Sequence, residues 1–333
     1  MVSWFQVLLA QQFGTLTLLV LSSTATGAGA GAGATMAMAM ANPNCADRCG
    51  DVPIPYPFGM TEDCYLNKDF LITCNSSFNP PKAFLGTTNL NVTEISLQGQ
   101  LKLLQFVASQ CYDQKENKLS DIRTWFELLP FTISTENKLT VIGCNTQASI
   151  DFYHNNASQQ QQLPYATTGC ISKCENISSF ADGSCSGVGC CQASIPKGVW
   201  NISVTLQSYD NYTKSSNSNS CSYAFVTSQD EFKFTPKYLR QLQNTDEFPL
   251  VAEWTVGNET CDVAQKNLPT YACKQNTKCY EPDIGSGGGG GLSGYRCNCS
   301  EEYQGNPYLT NGCQGISTDT HLLFAVLHCM AMK

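Results

Sequence analysis

Nineteen cysteines lie in the 333-residue chain, against three histidines, His154, His321 and His328. Cytosolic proteins are held reduced and seldom carry so many thiols. Two readings follow: structural zinc, or a disulfide framework made in an oxidising compartment. Zinc takes Cys and His ligands in short, repeated pairs. No histidine here sits beside a cysteine pair, so disulfides are favoured. The length allows one large domain or two small ones.

Cysteine positions divide the chain. Twelve precede residue 256: Cys45, Cys49, Cys64, Cys74, Cys111, Cys144, Cys170, Cys174, Cys185, Cys190, Cys191 and Cys221. An even set can pair completely, and its pairing is open in sequence alone. From Cys261 six more follow at gaps of eleven, five, seventeen, one and thirteen residues, through Cys273, Cys279, Cys297 and Cys299 to Cys313. Six cysteines permit 15 pairings. The C-x-C between the fourth and fifth resembles an EGF-like module. That resemblance implies Cys261–Cys279, Cys273–Cys297 and Cys299–Cys313. Tyr295 and the GNPY turn at 305–308 suit a short hairpin. Cys329 is left over, in the tail.

The N-terminus agrees with an oxidising destination. An apolar stretch at 13–21 gives way to small residues, the layout of a secretory signal cleaved near 26–30. Retained, it would serve as a membrane attachment, but its length falls short of the ~20 residues a span needs. The run GAGAGAGATMAMAMA at 27–41 has no period that could build a core and reads as low-complexity linker. HLLFAVLHCMAMK at the other end is also too short to span. GSGGGGG at 285–291 lacks the Lys-Ser/Thr of a phosphate loop and reads as a flexible insertion.

Eight N-x-S/T sequons stand at Asn75, Asn91, Asn156, Asn176, Asn201, Asn211, Asn258 and Asn298. They are acceptors for N-glycans in the secretory path. Asn298 is set aside because its middle residue, Cys299, falls in an implied bridge. The other seven are the expected glycosylation sites.

The region 42–255 reads as mainly β. Residues 90–107 alternate, with Val92, Ile95, Leu97, Leu101 and Leu103 pointing inward and Gly99 at a turn or bulge. WFELLPFTIS (125–134) and KLTVIGCN (138–145) read as a hairpin around Ser-Thr-Glu-Asn. Strands are also expected in 198–209 and 220–234, and one short helix in 235–244, capped by Thr235 with Pro236 first.

CADRCGDVPIPYPFGMTEDC (45–64) sets Pro53, Pro55 and Pro57 at every second position. In an extended chain, alternate side chains share one face. Ile54, Tyr56 and Phe58 would form an apolar stripe, and three missing N–H donors would lie along one edge. Such a run belongs at a sheet edge or in a polyproline-like ribbon. Its pre-set φ angles reduce the entropy lost on folding.

This run, C-x3-C-G-x-V-x-I-P-Y-P-F-G, followed by Cys64 and DFLITC (69–74), resembles the galacturonan-binding N-terminal domain of plant wall-associated receptor kinases. YRCNCSEEYQGNPYLTNGCQ (295–314) resembles the EGF-like segment of the same family, and SCSGVGCCQASIP (184–196) its Gly-Cys-Cys stretch. The sequence departs from the family after Gln314, where no second EGF module, transmembrane helix or kinase follows. The domains expected are a signal peptide over 1–30, a linker over 31–41, a galacturonan-binding-like region over 42–255, an EGF-like module over 256–314 and a disordered tail over 315–333.

The resemblance implies an extracellular cell-wall protein that binds pectin or its oligogalacturonides, without cofactor. A polyanion is best held by Arg and Lys. The chain carries a net charge of −8, with scattered cations that include Arg48, Lys68, Lys82 and Lys102. Calcium bridging between protein and pectin carboxylates, or sugar faces stacked on Tyr56 and Tyr65, are the alternatives. Arg48, Tyr56, Tyr65 and Lys68 are the ligand-binding candidates. No intrinsic metal site is expected. Asn258 and Glu259 before Cys261 only partly match a calcium signature. Nucleic acid is not an expected partner.

Catalysis is not expected. Glycoside hydrolysis needs two carboxylates facing one cleft, and no motif marks such a pair. A Ser–His–Asp site would depend on His154, which lies in a polar sequon-bearing stretch. The alternative to sugar binding is a structural role, with the EGF-like module contacting wall proteins or receptor kinases.

Overall fold

The structure is a computed structural model that describes residues 40–113, 117–153, 163–174, 183, 185–208, 220–242, 247–285 and 293–316. The chain divides into two units, Met1–Ala37 and Met38–Lys333. The first unit lies outside the described residues. So do His154, Cys329, the sequons at Asn156, Asn176 and Asn211, and most of the glycine run.

Three antiparallel sheets build the described part of the second unit. The largest has six strands in the order Thr132–Ile133, Glu247–Glu253, Gln100–Phe106, Asn91–Ile95, Lys82–Leu85 and Ile72–Asn75. A second has five: Cys190–Ser194, Asn137–Ile142, Ser220–Ser228, Ala108–Tyr112 and Lys118–Ile122. The third has four: Ala166–Ser172, Thr146–Phe152, Asn201–Ser208 and Thr124–Glu127. The fold is mainly β, with nine disulfides among the described residues.

Alternation explains the central strands. In Gln100–Phe106, Leu101, Leu103 and Gln105 are buried while their neighbours are half-buried or exposed. Val92 and Ile95 are buried with them, and Leu97 packs half-buried against the same core. Gln105 is polar yet buried because it joins two sheets. Its Nε2 donates to the Val226 carbonyl, and its Oε1 accepts the Val226 N–H at 3.5 Å. The side chain thus replaces a ladder bond that the backbone cannot reach.

Cystines tie both loops and sheets. Cys45–Cys64 closes the loop that carries the proline run, and Cys49–Cys74 fastens its first hairpin to the strand Ile72–Asn75. Cys111–Cys221 staples adjacent strands, and Cys170–Cys191 links the four-stranded sheet to the five-stranded one. Among its described residues, the C-terminal segment has two two-stranded ladders, Thr277–Tyr280 with Arg296–Cys299 and Tyr303–Gly305 with Cys313–Gly315. It is held by Cys261–Cys279, Cys273–Cys297 and Cys299–Cys313.

Several expectations are corrected. The proline run is not a continuous ribbon. Only Val52–Pro53 is strand, paired to Arg48–Cys49. The Tyr56–Pro57 peptide is cis, and the Phe58 N–H reaches the Pro55 carbonyl at 2.9 Å, so the chain turns there. The turn drives Phe58 into an aromatic cluster with Phe70, Phe131 and Trp254, at centroid distances of 5.0, 6.3 and 5.5 Å. Tyr56 stays half-buried while Ile54 and Phe58 are buried, so the apolar stripe is incomplete.

The segments 125–134 and 138–145 do not pair as a hairpin. Thr132–Ile133 joins the six-stranded sheet, and Asn137–Ile142 joins the five-stranded one. Buried Asn137 makes the crossing. Its Nδ2 donates to the Ser134 and Val251 carbonyls at 2.7 Å each, and its Oδ1 accepts the Val251 N–H at 3.0 Å. The helix expected in 235–244 shrinks to Tyr238–Gln241, with Lys237 at its N-cap. Tyr238 packs on Phe232 and Phe248, so the aromatic contacts rather than the cap position this turn.

Two boundaries also move. Met40 is part of the fold, since its carbonyl accepts the Tyr56 N–H at 2.8 Å. At the far end, Gly315 is in a strand and the Ile316 N–H donates to Glu302 at 2.7 Å.

Candidate functional site

The proline run positions the first wall of the site. After Phe58 the chain doubles back, and the Leu66 N–H donates to the Pro57 carbonyl at 2.9 Å. Asn67 then caps the short 3-10 helix Lys68–Phe70, its Oδ1 accepting the Asp69 N–H at 2.9 Å. Phe70 anchors that helix in the aromatic cluster, 5.8 Å from Trp254. Leu66 and Asn67 are thereby presented at a fixed height beside Lys68, which is exposed.

The C-terminal segment supplies the second wall. Val256 and Tyr295 exchange backbone hydrogen bonds at 2.9 and 3.1 Å. Tyr295 stacks on Tyr271 at 5.6 Å, and its hydroxyl accepts the Ala272 N–H at 2.9 Å. Burial raises the Tyr295 phenol above its ordinary pKa. Lys274 donates from Nζ to the Tyr271 carbonyl at 3.2 Å.

Between these walls lies a cleft of about 480 Å³. Leu66 and Asn67 line one side; Asn258, Glu259, Asn267, Thr270, Tyr271, Lys274 and Tyr295 are among those that line the other. The cleft combines one cation, one carboxylate, several amide and hydroxyl groups and an aromatic pair. That inventory suits a polar ring with hydroxyl and carboxylate substituents.

A buried seam holds the walls together. Arg296, 6% exposed, comes from the C-terminal segment. Its Nε donates to the Trp254 carbonyl at 2.6 Å, its Nη1 to Gln98 at 3.2 Å, and its Nη2 to the Glu253 carboxylate at 3.3 Å. The guanidinium passes directly over Gly99, where an added Cβ would lie 2.1 Å from Nε. Gly99 also has φ +97°, so it serves both the turn and the close approach. Asn306 adds a second tie, donating to the carbonyls of Met40 at 2.8 Å and Tyr56 at 2.6 Å. Tyr308 packs 5.7 Å from Trp254, and its hydroxyl accepts the Cys297 N–H at 3.0 Å.

Of the ligand candidates, Tyr65 and Lys68 flank the cleft-lining pair Leu66 and Asn67 in the chain. Tyr65 itself packs half-buried against the core. Tyr56 packs there too, with burial raising its phenol pKa. Arg48 sits apart on the first hairpin, donating from Nη2 to the Asp51 carbonyl at 2.6 Å. Lys102 is held between Glu94 at 3.0 Å and Glu231 at 2.9 Å, and Lys82 lies 4.9 Å from the centroid of the Phe78 ring. Of these cations, Lys102 is thus committed to carboxylates and Arg48 to a backbone carbonyl. Tyr271, Lys274 and Asn267 were not among the expected ligand residues. Only their place between Cys261 and Cys279 marked that segment.

Two sequons are corrected by burial. Asn201 is 2% exposed with its Oδ1 accepting the Trp125 indole N–H at 2.7 Å, and Asn91 lies in a strand at 8%. A glycan has no room at either. Asn258 is exposed at the cleft, and Asn75 is half-buried, its Oδ1 accepting from Ser77 at 2.9 and 2.6 Å. Among the described residues no group of three or more His, Cys, Asp or Glu is placed to hold a metal, and no helix is long and apolar enough to cross a membrane.

The chain matches a family model described as wall-associated receptor kinase galacturonan-binding over residues 45–105, and another described as wall-associated kinase over 182–264. It is 36% identical to wall-associated receptor kinase 2 of Arabidopsis thaliana over 276 residues, 82% of this chain and 34% of that protein. It is 34% identical to wall-associated receptor kinase 5 of the same plant over 284 residues, 83% of this chain and 35% of that protein. Wall-associated receptor kinase-like 17 is 27% identical over 306 residues, 81% of this chain and 38% of that protein. The chain spans about a third of the length of the first two relatives. No solved structure matches it.

Proposed function

Given that this chain belongs with the wall-associated receptor kinases through a shared region covering 82% of it, we propose that it binds pectic polysaccharide, as galacturonan or its oligomers, outside the cell. The observation that carries this reading is the 45–105 match to a galacturonan-binding model, whose Asn67 lines a cleft with Lys274 and the Tyr271–Tyr295 pair. A galacturonosyl ring offers a carboxylate to Lys274 and Lys68, hydroxyls to Asn67, Asn267 and Thr270, and a C–H face to the tyrosines. The nine disulfides support passage through an oxidising secretory route. In this reading the 42–255 region and the EGF-like segment over 256–314 act as one ligand-holding unit rather than as independent beads.

Calcium bridging is the competing route for carboxylates, with Glu259 at the cleft as the protein's contribution. The deciding experiment titrates unesterified oligogalacturonides of defined length against the purified full chain, with and without calcium, beside neutral glucans. Direct contact predicts calcium-independent binding that weakens with salt. Equal affinity for neutral and acidic sugars at this cleft would reject the pectin reading.

A protein-binding role has a smaller footing. On the ladder of Thr277–Tyr280 with Arg296–Cys299, Lys278 forms an exposed ion pair at 3.3 Å with Glu301, just beyond the second strand. No apolar patch on that ladder marks a partner. Deleting 256–333 does not separate the two roles, because it would uncover Trp254 and remove Arg296.

A further inference from the structure

We propose a second sugar subsite, at the edge of the four-stranded sheet, that takes an uncharged pyranose ring. A cleft of about 220 Å³ is lined by Trp125, Phe106, Phe126, Thr88, Asn89 and Glu127, among others. Ligand pockets for larger molecules run to several hundred Å³, so this one suits a single ring of a chain that continues into solvent.

Trp125 is 65% exposed, and Phe106 is 46% exposed. A large aromatic left in water is informative when it is also held still. Trp125 is held. It lies on the edge strand Thr124–Glu127, and its indole N–H is donated to Asn201 Oδ1 at 2.7 Å. Asn201 is 2% exposed and is fixed in the neighbouring strand, opposite Glu127. The sequon at Asn201 thus serves as an indole anchor. With its one polar atom committed, the indole presents only its apolar body outward. A pyranose ring has a matching C–H face, and its equatorial hydroxyls extend sideways, toward the rim groups Thr88, Asn89 and Glu127.

Charge selects the ring. Among the described residues lining the cleft, Glu127 is the one ionisable group. Neither neighbouring cation on these strands lines the cleft: Lys102, on the strand that carries Phe106, is paired with Glu94 and Glu231, and Arg123, before Thr124, lies 4.0 Å from Asp121. A uronate carboxylate would meet a like charge, with no cation among the described lining residues. An uncharged ring, from a neutral glucan or from methyl-esterified galacturonan, meets neither obstacle. This rests on the wall-glycan reading above but names a different ligand and a different cleft.

The test uses the full chain and three probes of equal length: cellohexaose, fully methyl-esterified oligogalacturonide and unesterified oligogalacturonide. Trp125→Ala and Trp125→Phe are compared with the parent by calorimetry, and the blue shift of tryptophan emission on binding, read in the parent, should vanish in both variants. The proposal expects at least one uncharged probe to bind and to shift the emission. Its affinity should fall at least tenfold in Trp125→Ala and less in Trp125→Phe, with both variants still folded by circular dichroism although loss of the bond to Asn201 lowers their melting temperature. Whichever uncharged probe binds names the source. Unesterified probe should bind Trp125→Ala as it binds the parent. The proposal is overturned if neither uncharged probe binds, if both variants bind them like the parent, or if Trp125→Ala loses only the unesterified probe. Failure of the unesterified probe on the parent would instead strike the pectin reading, so the two outcomes are separable.

Discussion

The junction cleft and the sheet-edge cleft differ in what holds their walls. The junction cleft is assembled from segments about 200 residues apart, Leu66–Asn67 and 256–295, and depends on the buried Arg296, which ties the second segment to Gln98, Glu253 and Trp254. The sheet-edge cleft sits on the strand Thr124–Glu127, with one indole set by one asparagine. One is polar and mixed in charge; the other is aromatic with a lone carboxylate. Binding at the first should therefore track the integrity of the whole fold, whereas binding at the second should respond to single surface substitutions.

The largest effect is expected from Arg296→Met. Removing one partner of a buried ion pair typically costs about 3–5 kcal/mol, and here Glu253 and two carbonyls lose their donor. Thermal unfolding should fall by many degrees. Below the new midpoint, oligogalacturonide binding should weaken while uncharged probes at Trp125 keep their affinity. Parallel loss of both would dissolve the distinction between the clefts.

Gly99→Ala should act on the same seam from the other side. The added methyl meets the Arg296 guanidinium, and φ +97° strains any L side chain. A loss of about 1–3 kcal/mol is expected from backbone strain plus displacement of the arginine. Chemical denaturation checks it, and an unchanged midpoint would mean that the guanidinium can move freely.

Alkaline titration probes the seam without mutation. Burial raises the Tyr308 phenol well above its ordinary value of 10.0 and raises Tyr295 in the same direction. The unfolded chain releases these protons near pH 10, whereas the folded chain retains them. Stability is therefore full below pH 10 and falls as pH climbs above it. Absorbance of tyrosinate during an alkaline melt should show these phenols ionising only on unfolding. Early ionisation of all tyrosines would place Tyr308 in water.

How far the sequence alone discloses this architecture depends on the range of the contacts involved. Periodic segments were readable: Val92, Ile95, Leu101 and Leu103 alternate because one sheet face is buried. Cysteine spacing was also readable where a compact pattern constrains it. The hairpin expected around 134–138 failed because Asn137 bonds to Val251, more than a hundred residues away, and no local pattern encodes that contact. The proline run read as a ribbon, since alternation does not reveal the turn closed by Phe58 and Pro55. Among candidate ligands, Tyr65 and Lys68 adjoin in the chain the cleft-lining Leu66 and Asn67 without lining the cleft themselves, whereas Arg48 was chosen by charge and its guanidinium bonds within its own hairpin. Trp125 and Asn201 gave separate signals, an aromatic on a strand and a sequon, and only pairing of the strands Thr124–Glu127 and Asn201–Ser208 joins them.

A smaller effect is expected at Asn258, the exposed sequon residue that lines the junction cleft. A glycan there would crowd the entrance, so Asn258→Gln in secreted protein should raise oligogalacturonide affinity a few-fold, as read by calorimetry. No change would place any glycan away from the ligand.

The central claim, that the junction cleft holds galacturonan by direct charge contact, is met most directly by one calorimetric series. Unesterified oligogalacturonide is titrated into the parent, Lys274→Ala and the Lys68→Ala/Lys274→Ala pair at low and physiological salt. Binding that weakens stepwise across the three proteins, and whose salt dependence shrinks in the same order, is the predicted result. Affinity that is indifferent to both lysines and to salt would contradict it.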